Sequence, residues 1–248
     1  PTKAELDAKY RFLEQSRPTP VRPNPERARH LFRRIAPHLP MRPISVLDLG
    51  GGTGSLLTGF VERGDRCYTV DYVAQTIPGV ERLASVLEEL PADRRFDLVI
   101  CSHVLEHVVE PLELLTRLVE RLEPDGLAYV EVPMELLGGA PRLREPVTHI
   151  NFFTPGATEL MCARAGLERL SGEVTPLLEV MRSYDTSFHA LGRRSSVAQA
   201  SAPAEGLARQ TERALRPSVA AGVRRLANVG GEALRRLKGA LVRASPTS

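Results

Sequence analysis

Between residues 44 and 133, short apolar runs alternate with stretches in which apolar residues recur every three or four positions. ISVLDL (44–49), RCYTVD (66–71), FDLVICS (96–102) and LAYVEVP (127–133) predict strands, and ERLAS (81–85) a weaker one. The helical period predicts helices over about 54–63 and over PLELLTRLVERL (111–122), the latter followed by a turn at EPDG. Strands this rich in Val, Ile and Leu are covered on both faces, which is the pattern of a mostly parallel sheet. The predicted fold class is therefore α/β, a doubly wound sheet.

Outside this block the pattern changes. Residues 2–16 predict a helix, with Thr2 and Glu5 at capping-box spacing and Leu6, Tyr10 and Leu13 at helical intervals. RPTPVRPNP interrupts it, and a second helix follows near 26–36. Beyond a Gly/Pro-rich loop to about 150 come a helix at 155–165 and two strands, LERLSGEV and SFHALGRR, expected to pair at one sheet edge and bring the strand total to seven. SSVAQASAPAEG (195–206) is composed like a linker. The expected division is an N-terminal helical cap (1–43), an α/β domain (44–194), the linker, and a helical tail (207–248) whose Leu and Val stripe is interrupted by Pro217 and Gly230-Gly231.

Charge sharpens that division. The net charge is +3, but 207–248 holds nine Arg/Lys against two Glu, so the tail is +7 and the remainder −4. A basic tail with an apolar stripe suits an anionic membrane surface, an acidic partner, or docking on the chain's own body or a second subunit in a homodimer. The main body carries no basic excess, and with 5% aromatic residues and no Trp it offers no stacking platform, so no nucleic-acid partner is expected. No run of about 18 apolar residues occurs, and the first residues lack a secretion-signal layout; cytoplasm is the expected compartment. Cys67, Cys101 and Cys162 stand too far apart for a metal clip, and Cys101 reads as a core residue rather than a nucleophile.

The candidate chemistry begins at VLDLGGGTGSL (46–56). Ligands of open α/β sheets bind beyond the carboxyl ends of the strands, and Gly50, Gly52 and Gly54 there leave room for a ligand against bare backbone. Neither register of G-x-G-x-x-G fits, since Ser55 or Leu57 takes the third place, and Asp48 would repel a pyrophosphate but favour a cationic ligand. VLDLGGGTG resembles the first motif of class I S-adenosylmethionine-dependent methyltransferases. FDLVICSHVLEHVVEP, LEPDG and HINFFTPGATELMCARAGLE resemble later segments of the same superfamily, and the likeness covers about 44–194. It implies a Rossmann-like seven-stranded domain with S-adenosyl-L-methionine as cofactor. Asp48 and the glycines would lie at the methionine part, Asp71 at the ribose hydroxyls, Ser85 and Val86 at adenine in place of the usual acid, and Ser102 at the end of the fourth strand.

Methyl transfer to a hydroxyl needs alignment and removal of a proton, so histidines near the cofactor are the candidate bases: His103, His107 and His149. S-H-V-L-E-H resembles the E-x-x-E-H segment of ubiquinone-biosynthesis O-methyltransferases, where acids and a histidine hold a divalent metal. Here His103 replaces the first acid. At i, i+3, i+4 spacing His103, Glu106 and His107 are expected on one helical face, yet two imidazoles and one acid are a poor magnesium set, so no metal is assigned. Glu131, ending the fifth strand, either meets an acceptor hydroxyl or pairs with a neighbour. The N-terminal helix, with Tyr10 and Phe12, is expected to act as a lid. The expectation is a methyltransferase for a small-molecule acceptor, at oxygen, in a biosynthetic pathway. Its rivals are a cofactor-binding protein without turnover that acts through the basic tail, and a nicotinamide oxidoreductase.

Overall fold

A computed structural model of the chain describes residue 5, residues 24–134, 149–176 and 186–195. The expected linker and tail, the remainder of the first helix and the loop over 135–148 lie outside the described residues. Seven strands form one sheet: β1 (Ser45–Leu49), β2 (Arg66–Val70), β3 (Val80–Ala84), β4 (Phe96–Ser102), β5 (Leu122–Pro133), β6 (Leu167–Pro176) and β7 (Thr186–Arg194). Their spatial order is β3-β2-β1-β4-β5-β7-β6. The pairings from β3 to β5 are parallel, whereas β7 runs antiparallel to both β5 and β6. The order reverses between β1 and β4, which opens a crevice at the carboxyl ends of those strands.

The apolar runs follow from burial on both sides. Along β1, β4 and β5, Leu47, Val99, Cys101, Val130 and Val132 face one core, and Val46, Leu98, Ile100 and Tyr129 face the other. Helices α1 (Pro25–Ile35) and α2 (Thr58–Arg63) cover the second core, with Leu31, Ile35 and Phe60 buried and Phe32 edge-on to Phe60 at 5.0 Å. Helices α3 (Pro111–Glu120) and α4 (Pro155–Arg164) cover the first, through Leu115, Leu118, Met161 and Cys162. The Asn24 side chain caps α1 by accepting from Arg27 N at 3.1 Å, and Thr154 caps α4.

Two expected elements come out differently. The helix after the glycines starts as a 3-10 turn, Ser55–Leu57, before the short α2, because the tight glycine turn imposes its own hydrogen bonds, Gly54 N to Gly51 O and Leu57 N to Gly54 O. EPDG does not separate α3 from the next strand. β5 already begins at Leu122, opposite Phe96, and the four residues are absorbed as an irregularity before Leu127 pairs with Leu98, with Asp125 at φ 62°. Among the described residues no helix is long and apolar enough to cross a membrane.

Candidate active site

The turn after β1 is built from backbone conformations open to glycine. Gly50, Gly52 and Gly54 have φ of 70°, 56° and 75°, and a Cβ on Gly52 would meet nothing within 4 Å, so its face is open. Gly51 is glycine for another reason: its Cβ would lie 2.5 Å from Asp48 Oδ2. The Asp48 carboxylate is thus tucked beneath the loop, 1% exposed, with Oδ2 buried and without a hydrogen-bond partner. Burial, helped by the charges of Asp71 and Glu131 and opposed by Arg27, pushes its carboxyl up to about 7. Its Oδ2 thus remains able to accept from a donor.

Asp71 stands immediately after β2. Its Oδ2 accepts from Gly52 N and its Oδ1 from Val73 N, each at 2.8 Å, which fixes the carboxylate against the glycine turn while leaving each oxygen a lone pair. At the next strand Ser85 is already engaged: its amide donates to Glu89 Oε2 at 2.8 Å and its hydroxyl accepts from Arg82. The acid beside Ser85 is therefore Glu89, four residues on, and not a neighbour of Ser85 in sequence. Val86 follows in extended conformation, half-buried.

Arg27 is the residue that sequence reading missed. From the first turn of α1 it reaches the ends of β4 and β5, donating to Ser102 Oγ at 2.6 Å and to Glu131 Oε2 at 3.2 Å. Ser102 and Ser187 each donate to Glu131, at 2.5 and 2.9 Å. Burial disfavours the Glu131 anion, but His103, Arg27 and the two serines outweigh it and hold its carboxyl at about 2. Of the two readings offered for Glu131, pairing with a neighbour is the one observed. The sequence held only a faint hint, a basic residue in a helix's first turn, where the dipole slightly disfavours it.

The histidines gather beyond β4, although not on one helical face. His103 adopts φ 56° at the strand end and only Leu105–His107 makes a 3-10 turn. The convergence is instead on Glu106, fully buried, with His103 Nδ1 at 3.2 Å and His107 Nε2 at 3.8 Å from its Oε1. Burial again disfavours the anion, yet His103 and His107 hold the Glu106 carboxyl below its usual range. His149, 4% exposed, stands edge-on to His107 with ring centroids 4.6 Å apart. It does not cap α4, a task that falls to Thr154. Cys101 is fully buried and its thiol is pushed up by burial, so it is no nucleophile.

Residues 21–171 match the family described as methyltransferase domain. The chain belongs to that family. This methyltransferase-domain protein is 31% identical over 119 residues to a ubiquinone biosynthesis O-methyltransferase of Rickettsia bellii, an alignment covering 43% of the chain and 50% of the relative. The chain thus spans about half the length of the curated relatives it matches. Among solved structures it resembles the 1,6-didemethyltoxoflavin-N1-methyltransferase of Burkholderia thailandensis with bound S-adenosylhomocysteine (TM-score 0.54, 19% identity, 78% of this chain and 85% of that one). It likewise resembles the magnesium protoporphyrin IX methyltransferase of Synechocystis, also with S-adenosylhomocysteine (TM-score 0.54, 16% identity, 78% and 95%). At these identities the likeness establishes the Rossmann-like methyltransferase fold.

Proposed function

We propose that the protein is an S-adenosylmethionine-dependent methyltransferase acting on a small-molecule acceptor, at oxygen. The observation that carries this reading is the partnerless Asp48 oxygen beneath an open glycine turn, with Arg27 and Asp71 on either side. Asp48 would take the cofactor's ammonium, Arg27 its carboxylate, and Asp71 its ribose hydroxyls; Glu89, beside Ser85, would accept from the adenine amino group. A pyrophosphate would set its negative charge against Asp48, which argues against a nicotinamide dinucleotide. When bound, the cofactor supplies a methyl group already activated by its sulfonium.

What remains for the chain is alignment and the acceptor's proton. His103, at the end of β4 and backed by Glu106, is the proton acceptor in this reading, a carboxylate–imidazole pair in which Glu106 orients the ring. Oxygen as the methylated atom is favoured by that pair and by the partial likeness to the ubiquinone-pathway enzymes. Two measurements test the proposal. Calorimetric titration with S-adenosylhomocysteine should give saturable heat, weakened in Asp71→Ala by about 1 to 3 kcal/mol; no heat with the unaltered chain refutes the assignment. His103→Gln should bind that ligand like the parent and transfer methyl groups about 100-fold more slowly or worse, and parental turnover would remove His103 from the role.

A further inference from the structure

Among the described residues, one group of donor side chains closes on a common point outside the glycine turn. Ligand atoms of Glu106, His107 and His149 all lie within 4.8 Å of one another. The resemblance noted for S-H-V-L-E-H implies a hard divalent ion held by two acids and a histidine, and the residues here do not fit it. His103, in the place of the first acid, faces Glu106 at 3.2 Å. The third donor comes from a different segment altogether, His149. Magnesium prefers near-octahedral oxygen coordination, whereas two imidazole nitrogens and one carboxylate oxygen are the donors of three-ligand zinc sites that leave a position open.

We propose that Glu106, His107 and His149 form a binding site for one zinc-class divalent ion, with His103 steadying the Glu106 carboxylate at the same oxygen that faces His107. Donors around a tetrahedral zinc lie about 3.3 Å apart. Glu106 Oε1 and His107 Nε2 are at 3.8 Å, so closure needs side-chain adjustments on the order of 1 Å, in rings rather than backbone. The backbone is already tied. Ile150 N and Asn151 N both donate to Glu106 O, at 2.8 and 3.1 Å, and Asn151 Nδ2 donates to Leu105 O and Val108 O. Those four bonds hold the His149 segment against the Glu106–His107 turn independently of any ion. Glu106 and His149 are buried, while the His107 side chain, 21% exposed, leaves an entry. A buried anion between imidazoles is also where a cation is repaid most.

The proposal does not draw on the assignment of methyl transfer, and its test keeps the two apart. The full chain, stripped with a chelator, is titrated with Co²⁺ while visible d–d absorption is followed, then with Zn²⁺ as competitor and Mg²⁺ as control. One equivalent of Co²⁺ should bind, Zn²⁺ should displace it and raise the melting temperature, and Mg²⁺ should do neither. His149→Ala should lose at least 100-fold in affinity, and His103→Gln about ten-fold. S-adenosylhomocysteine titrations of the same samples report whether each variant is folded and whether the donor half of the site stands. Absence of both Co²⁺ absorption and a Zn²⁺-dependent melting shift in the unaltered chain overturns the site, as does His149→Ala titrating like its parent.

Discussion

Asp48 is held in the one protonation state that costs the free protein least. Its carboxyl, pushed by burial to about 7 from 3.8, binds a proton more readily folded than unfolded. Native chains therefore carry the extra proton between about pH 4 and pH 7, and the group's contribution to stability declines as pH rises through that window. A ligand ammonium reverses the preference by favouring the anion. The expected result is that S-adenosylhomocysteine affinity climbs from about pH 6 and levels off above about pH 8, a rise that Asp48→Asn removes. The same variant should make the free chain more stable at pH 8 while weakening the ligand; calorimetry and urea melts check both. Asp48 and Asp71 were legible in the sequence because they end apolar runs flanking a glycine turn. Ser85 was legible as a position, but its engagement by Arg82 and Glu89 is a matter of side-chain reach that spacing does not encode.

At the level of elements, α1 is the piece whose role the chain least advertises. Its period predicts a helix, and the buried Leu31 and Ile35 follow from that period. Nothing local says that Arg27 will span to Ser102 and Glu131, residues more than seventy positions away. Arg27→Ala should act twice. Left without its guanidinium, buried Glu131 keeps the two serine hydroxyls and the charge of His103, and stability should fall by about 3 kcal/mol, read in urea. Affinity for S-adenosylhomocysteine should fall as well, while 5′-methylthioadenosine, which lacks the amino-acid part, should bind as it does to the parent. An equal loss for both ligands would mean that α1 only supports the fold. The turn over 103–107 teaches a related lesson: i, i+3, i+4 spacing is informative only inside a helix, and the left-handed conformation of His103 breaks the helix before it starts.

At the scale of the whole molecule, buried histidines on the α1 side of the sheet add a pH response opposite to that of Asp48. His189, stacked on Tyr129 and 3% exposed, has its imidazole pushed down to about 4 by burial and by Arg34, and His30 is lowered by burial and Arg34. Histidines lowered in the fold contribute stability that is complete above about 6.5 and is lost as pH falls toward 4. Across that interval the His189 contribution falls while that of Asp48 rises, so acidification should lower the melting temperature of the parent relative to His189→Asn, and a parental slope in the variant would exclude His189 as a cause. The sheet itself was the most legible feature, because burial on both faces writes continuous apolar runs into β1, β4 and β5. Hairpin partners β6 and β7 were readable too, at the edge where they occur.

That edge has an implication for how the molecule comes into being. β7 lies between β5 and β6 although it is made after both, and it brings Ser187 to Glu131. While the ribosome is still extending the chain, β6 has no neighbour to join and Glu131 lacks one of its two hydroxyls. The bracing of Glu131 is therefore completed only when β7 has been made, and a nascent chain interrupted before it would present Arg27 to an incompletely held carboxylate.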